Sequence, residues 1–313
     1  MPRAKIIYGQ REETIGPLEM DRIYQTLADR VLDLLSQSKK PRIIVAVAGV
    51  PGSGKTTLSN NVAQIINDRA TAATAKFVSQ QQTSTQPSLH SIPVPEQPTN
   101  NSAAIVVGMD GFHLTRAQLD AMDDPEEAHR RRGAPFTFDA DGVVSLVKKL
   151  HQSTLEPVCE ATTTADKSTN NARVITAPSF DHKVKDPVPD NIVIPAETRI
   201  VFLEGLYLLL EDEPWAQIAP LVDDKWYINV DASIARRRVA YRHVDSGITP
   251  NLELAYARAD GNDATNGIYI STHSSPPDIT IQSIDEPSGP ETTSTRTCLN
   301  CRHVHAVGLQ ANP

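Results

Sequence analysis

The run Gly49-Val50-Pro51-Gly52-Ser53-Gly54-Lys55-Thr56-Thr57 holds the residues of this 313-residue chain best suited to chemistry. It fits the spacing GxxxxGK[ST] without a mismatch. Glycines at 49, 52 and 54 let the backbone bend until successive N–H groups converge on phosphate oxygens. A helix starting here adds the partial positive charge of its N-terminus. The Lys55 ammonium can reach the β- and γ-phosphates, and the Thr56 hydroxyl can ligate Mg²⁺. The pattern implies a nucleoside triphosphate cradle.

Phosphoryl transfer also needs a base for the acceptor hydroxyl, a carboxylate near the metal, and cations to neutralise the moving group. Asp110 follows the apolar run Ala104–Met109, at a strand's C-terminal end, where open α/β sheets bind ligands. Gly111 beside it leaves room for a close approach. Glu204 ends the run RIVFLE, where an acid at the metal is expected, although its side chain is longer than the more usual Asp. Arg238 and Arg242 lie four apart in an arginine-rich stretch and share one helical face, as a lid over phosphates requires. Each has a plainer reading: Asp110 as a cap, Glu204 as a strand-terminal charge, the arginines as a solvated face.

These residues need a frame. Ile43–Val47 reads as a buried strand feeding the glycine loop, and Leu58, Val62, Ile65 and Ile66 recur at helical spacing after it. Further strands are expected at Ala104–Met109, Arg199–Glu204, Trp226–Val230 and Asp278–Ser283, with a short one at Arg173–Thr176. Leu18–Leu35 reads as an amphipathic helix with Ile23, Leu27, Val31, Leu34 and Leu35 inward. A second helix is expected over Val143–Leu150, capped by Asp139 or Asp141, and a third over Ser233–Val244. The segment Leu206–Leu210 with Trp215 should cover the sheet. Strands alternating with helices predict an α/β fold, a P-loop NTPase three-layer sandwich with a mostly parallel sheet and an arginine-rich lid helix.

Composition limits the partners. A net charge of −8 argues against nucleic acid or an anionic membrane as the main partner. No apolar run approaches a membrane span, and the first residues lack a signal core. Three cysteines make no disulfide framework, so a soluble, reducing, cytoplasmic setting is expected. The 23 prolines and polar tracts imply that part of the chain is unpacked. Residues 1–16 read as a flexible lead-in and 17–285 as one domain with polar insertions at 79–102 and 159–171. Residues 286–313 read as a disordered tail. In that tail Cys298, Cys301, His303 and His305 offer four metal-ligating side chains, but the His-x-His spacing is not that of a zinc finger.

The ordered set GVPGSGKTT, MDGFH, RRRGAPFTFD, PSFDHKVKDPVP, RIVFLEGLYLLL, the arginine-rich helix and DGNDATN resembles the uridine kinase/phosphoribulokinase/pantothenate kinase group of P-loop kinases. Its fungal and bacterial uridine kinase-like members are the most similar. The resemblance covers most of residues 20–285 outside the polar insertions. It implies ATP-dependent phosphorylation of a hydroxyl on a small metabolite, with Mg²⁺. Asp110 would be the base, and Arg238 and Arg242 the lid cations. Arg132, Phe138, Asp181 and His182 would line the acceptor pocket. His113 either meets the acceptor or is a structural hydrogen-bonder. The resemblance sets Asn262, Asp263 and Asn266 near lid and nucleotide. Lys185 stands where pantothenate kinases have an aromatic residue, which counts against pantothenate. The acceptor's identity and the oligomeric state, a homodimer included, stay open. The competing reading is a P-loop ATPase that regulates a partner through its polar arms.

Overall fold

The apolar run at Ile43 forms the strand expected of it, and the sheet grows from that strand's burial. A computed structural model describes residues 5–8, 11–14, 20–82, 103–153, 174–181 and 183–284. Its strands are Lys5–Tyr8 (β1), Arg11–Thr14 (β2), Ile43–Gly49 (β3), Ala104–Gly108 (β4), Ile175–Asp181 (β5), Asp186–Ile194 (β6), Ile200–Gly205 (β7), Asp224–Val230 (β8) and Ile279–Ser283 (β9). Its helices are Met20–Gln37 (α1), Lys55–Gln82 (α2), Arg116–Asp120 (α3), Pro125–Arg130 (α4), Ala140–Ser153 (α5), Ala232–Asp245 (α6), Leu252–Arg258 (α7) and Ala264–His273 (α8).

Seven strands form one sheet in the order β2-β1-β9-β8-β3-β7-β4. From β9 to β4 all neighbours are parallel, while β1 runs antiparallel to β2 and β9. All seven residues of β3 are buried, as a strand covered on both faces must be. Their side chains alternate between two cores. Ile43, Val45 and Val47 join Ile23, Leu27 and Val31 of α1, Leu58, Val62 and Ile66 of α2, and Phe202 and Trp226. Ile44, Ala46 and Ala48 face Val143, Val147 and Leu150 of α5 with Tyr207–Leu210 and Trp215. The three layers and the covering role of Leu206–Leu210 are as expected.

The start of β8 and the middle of α1 are tied by a buried carboxylate. Arg30 donates from Nε and Nη2 to Asp224 at 2.7 and 2.8 Å, and the Trp226 indole donates to the same group at 2.7 Å. Such a fork is geometrically specific. At α5 the cap is Asp139, whose carboxylate accepts from Gly142 N at 2.9 Å.

Several expectations need correction. Residues 1–16, read as a lead-in without structure, contain β1 and β2, each too short at four residues for its period to stand out. Helix α2 runs on to Gln82, so the insertion expected at 79–102 begins later. The strand expected at Arg173–Thr176 is the longer β5, which pairs with β6 as a separate two-stranded hairpin. Pro187 and Pro189 disguise β6, and prolines are tolerated there because the hairpin has open edges. Residues 83–102, 159–171 and 286–313, including Cys298, Cys301, His303 and His305, lie outside the described residues.

Replacing Leu27, fully buried between α1 and the sheet, by Ala should cost about 2–5 kcal/mol. Urea unfolding should show a lower midpoint at unchanged slope, with nucleotide affinity intact; an unchanged midpoint would place Leu27 outside the core.

Candidate active site

Strand β3 ends where α2 begins, and the turn between them is the glycine loop. Gly52 has φ +77°, and a Cβ there would lie 2.6 Å from the Ala235 carbonyl of α6, so only glycine fits. Lys55 is 9 % exposed. Its ammonium donates to the carbonyls of Gly49 at 2.9 Å and Val50 at 3.1 Å. Burial lowers its pKa to about 8, against the raising influence of Glu204. Ser53 Oγ is buried with no hydrogen-bond partner among the described residues. A loop with a buried ammonium and an unanswered hydroxyl is built for a polyanion.

Glu204, at the end of β7, accepts from Thr56 Oγ1 at 3.0 Å. Burial raises its pKa, and Lys55, Thr56 and Arg242 only partly oppose this, while Asp110 adds to it. A carboxylate short of positive charge beside a hydroxyl suits a hard divalent cation. Thr56 and Glu204 could together hold such a cation. Among the described residues no cluster of three His, Cys, Asp or Glu side chains offers a metal site.

Asp110 is exposed on a 3₁₀ turn, Met109–Phe112, directly after β4. The turn is fixed from behind: a Cβ on Gly111 would lie 2.1 Å from the Pro178 carbonyl of β5. Asp110 acts electrostatically on Lys55, Glu204 and Tyr207, so these groups share one field. His113 donates from Nδ1 to the Asp110 carbonyl at 2.8 Å. Its ring lies 4.0 Å from Phe138 and 5.0 Å from Phe180 between centroids. The structure thus brings Lys55, Thr56, Glu204 and Asp110 together, with His113 and Phe138 adjoining; Phe138 itself is buried against Tyr207 and Trp215.

Other residues differ from their expected places. Arg132 donates to the Lys185 carbonyl at 2.7 Å and the Leu114 carbonyl at 2.9 Å and pairs with Asp186 at 3.1 Å, clamping the β5–β6 tip to the segment that follows the Met109–Phe112 turn. Asp181 caps that tip, accepting from Lys183 N at 2.7 Å. His182 lies outside the described residues. Arg238 donates to the Gly52 carbonyl at 3.3 Å, Ser283 Oγ at 2.8 Å and the Ile284 carbonyl at 2.9 Å, so it braces the loop against the end of β9. Arg242 is exposed and acts on both Lys55 and Glu204. Arg238 also borders the loop, its Nη1 3.9 Å from where a Cβ on Gly54 would lie.

Sequence reasoning did not single out Tyr207 and gave Asn262 and Lys185 no contacts. Tyr207, hidden in an apolar run, donates to the Gly133 carbonyl, and burial raises its pKa. Asn262 sits in a π-turn, Ala259–Asp263, accepting from Arg131 Nε at 2.9 Å and donating to the Arg132 carbonyl at 3.0 Å. Lys185 spans from the hairpin tip to the Gly247 carbonyl just past α6, at 3.0 Å. A π-turn interrupting a helix is a common mark of a functional site.

Comparison with known proteins settles the family. The uridine kinase candidate C227.14 of Schizosaccharomyces pombe is 34% identical over 261 residues, which covers 83% of this chain and 91% of that one. This chain belongs to the uridine kinase-like P-loop kinases. The ATP-dependent kinase YFH7 of Lachancea thermotolerans is 32% identical, covering 79% of this chain and 94% of its own length. Among solved structures, Saccharomyces cerevisiae YFH7 superposes with a TM-score of 0.66 at 28% identity, covering 84% and 99% of the two chains. A fructose transport system kinase candidate from Silicibacter gives 0.57 at 28% identity, covering 82% and 98%. No family model matches the sequence. No helix among the described residues is long and apolar enough to cross a membrane.

In this uridine kinase-like protein the free enzyme's Lys55 loses its proton near pH 8, whereas in the unfolded chain it does so near 10.5. Between those values the unfolded state binds more protons, so stability without nucleotide should rise with pH over that interval. A bound triphosphate favours the ammonium, so ATP binding at pH 8.5 should take up a proton. Calorimetry in buffers of different ionisation enthalpy measures this, and Lys55→Met should abolish it; equal uptake in the variant would move the effect elsewhere.

Proposed function

We propose that this P-loop kinase transfers the γ-phosphoryl group of ATP to a hydroxyl of a small metabolite, of the nucleoside, sugar or pantothenate-like kind. The observation that carries the reading is Asp110: an exposed carboxylate on a turn locked by Gly111, in the same field as the loop lysine and Glu204. That is the position an acceptor's base must hold.

The roles follow from the contacts. Lys55 leaves the Gly49 and Val50 carbonyls to hold the β- and γ-phosphates, joined by the loop amides of residues 50–57 and the Ser53 hydroxyl. Thr56 and Glu204 would hold Mg²⁺, which supplies positive charge on the phosphate oxygens when bound. Asp110 accepts the proton of the attacking hydroxyl. Arg242 approaches the transferred group from the lid. His113 and Phe180 form one wall of the acceptor site, held by the Arg132 clamp, and Lys185 links that wall to the lid. A cytoplasmic setting fits three cysteines that form no evident framework.

Asp110→Ala should lower transfer by about 10²–10⁴-fold with ATP affinity nearly unchanged. The measurement is ADP release across a panel of nucleosides, sugars, pantothenate and glycerate. Turnover indifferent to every acceptor, or wild-type transfer in Asp110→Ala, would refute the reading.

A further inference from the structure

Arginines at 130, 131 and 132 follow one another where α4 ends, and two of them are answered by carboxylates. Arg130 donates from Nε and Nη2 to Glu127 at 2.6 Å each. Arg132 pairs with Asp186 and holds two carbonyls. Arg131, between them, is part-buried. Its Nε donates to Oδ1 of Asn262 at 2.9 Å, and its Nη groups make no hydrogen bond or ion pair among the described residues. A neutral amide oxygen orients a guanidinium without cancelling its charge. Asn262 is itself held, being 8 % exposed and donating from Nδ2 to the Arg132 carbonyl at 3.0 Å. The remaining N–H donors of Arg131 are thus kept in a fixed plane with their charge uncompensated.

A second side chain beside it also lacks a partner. Asn266 is 2 % exposed, and its amide makes no hydrogen bond among the described residues. A buried amide left unpaired is costly and calls for a ligand. The two amide nitrogens converge on Gly133, where a Cβ would lie 3.8 Å from Asn262 Nδ2 and 3.9 Å from Asn266 Nδ2. This place adjoins the wall of the acceptor site. Tyr207 donates to the Gly133 carbonyl. Further along, Leu114 N donates to the Thr137 carbonyl at 2.9 Å and Asp139 N to the Phe112 carbonyl at 2.8 Å, lacing this segment to the turn that carries Asp110. The Arg132 guanidinium next in the chain lies 5.6 Å from the Phe180 ring centroid.

We propose that Arg131, with Asn266 beside it, binds an acid group of the acceptor, so that the metabolite phosphorylated is a hydroxy acid or a phosphate monoester with a free hydroxyl. This rests on the kinase reading with Asp110 as the acceptor's base. Asn262 is the positioning residue that fixes the plane of Arg131. Arg132, spent on its clamp, leaves this task to its neighbour.

The test measures ADP release from MgATP with matched acceptors that differ in the acid group: glycerate and glycerol, pantothenate and pantothenol, ribose 5-phosphate and ribose. The first two pairs report a carboxylate and the third a phosphate. In at least one pair kcat/KM should favour the acid about 10–100-fold, the worth of a charge-assisted contact. Arg131→Met should bring that ratio close to one, chiefly through the acid's KM, with the KM for MgATP little changed. Asn262→Ala should lower the ratio in part. Arg131→Lys, which keeps the charge, should retain some of it and replaces the Met variant if that fails to fold. Neutral members used as well as the acids, or a ratio unchanged in Arg131→Met, would overturn the assignment. So would an equal loss of kcat on both members of a pair, which would give Arg131 to the transferred phosphoryl group. No turnover with any pair would overturn the kinase reading beneath it. Calorimetry of the acids with the MgADP complex then decides the subsite, and no binding, or equal binding in Arg131→Met, would overturn it as well.

Discussion

A lysine ammonium kept out of water under a bent backbone is the constraint on which the rest of this molecule depends. Lys55 reaches that position because β3 is buried on both faces and cannot shift, and because α2 starts at the lysine itself. Without a ligand its hydrogen bonds go to two carbonyls, Gly49 and Val50, and Glu204 and Asp110 offset its burial only in part. Burial therefore disfavours the charged form, and a polyanion that arrives with its own negative charge relieves that cost. A free state left electrostatically unfinished favours the binding of phosphate.

The neighbouring groups share this property. Glu204 is pushed toward its protonated form by burial, Ser53 keeps an unanswered hydroxyl, and Asp263 keeps an unanswered oxygen. These lie around one place, where loop, β7 and lid meet. By contrast, Asp224 takes three donors and Asp223 accepts from both Lys40 and Ile44 N.

The legible parts of the fold were those decided locally. Ile43–Val47 and RIVFLE could be read as strands because continuous apolar runs have few other uses, and the glycine loop because its spacing is dictated by phosphate geometry. Asp110 and Glu204 were legible as residues at the ends of strands. What escaped reading depended on distant partners. Arg238 and Arg242 look alike on one helix face, yet the former is drawn to Gly52, Ser283 and Ile284 and the latter is not. Arg132 reads as a substrate cation and is a clamp. Asn262 finds its partners some 130 residues away. Pro187 and Pro189 concealed β6, since proline at an open edge looks like proline in a loop.

The most direct test of the central claim is a crystal structure of the protein with Mg²⁺ and a non-hydrolysable ATP analogue. The account predicts that Lys55 Nζ leaves the Gly49 and Val50 carbonyls for the β- and γ-phosphate oxygens, with Asp110 facing the γ-phosphate across the acceptor site. A nucleotide bound elsewhere, or a Lys55 that keeps its carbonyl partners while the loop stands empty, would contradict it.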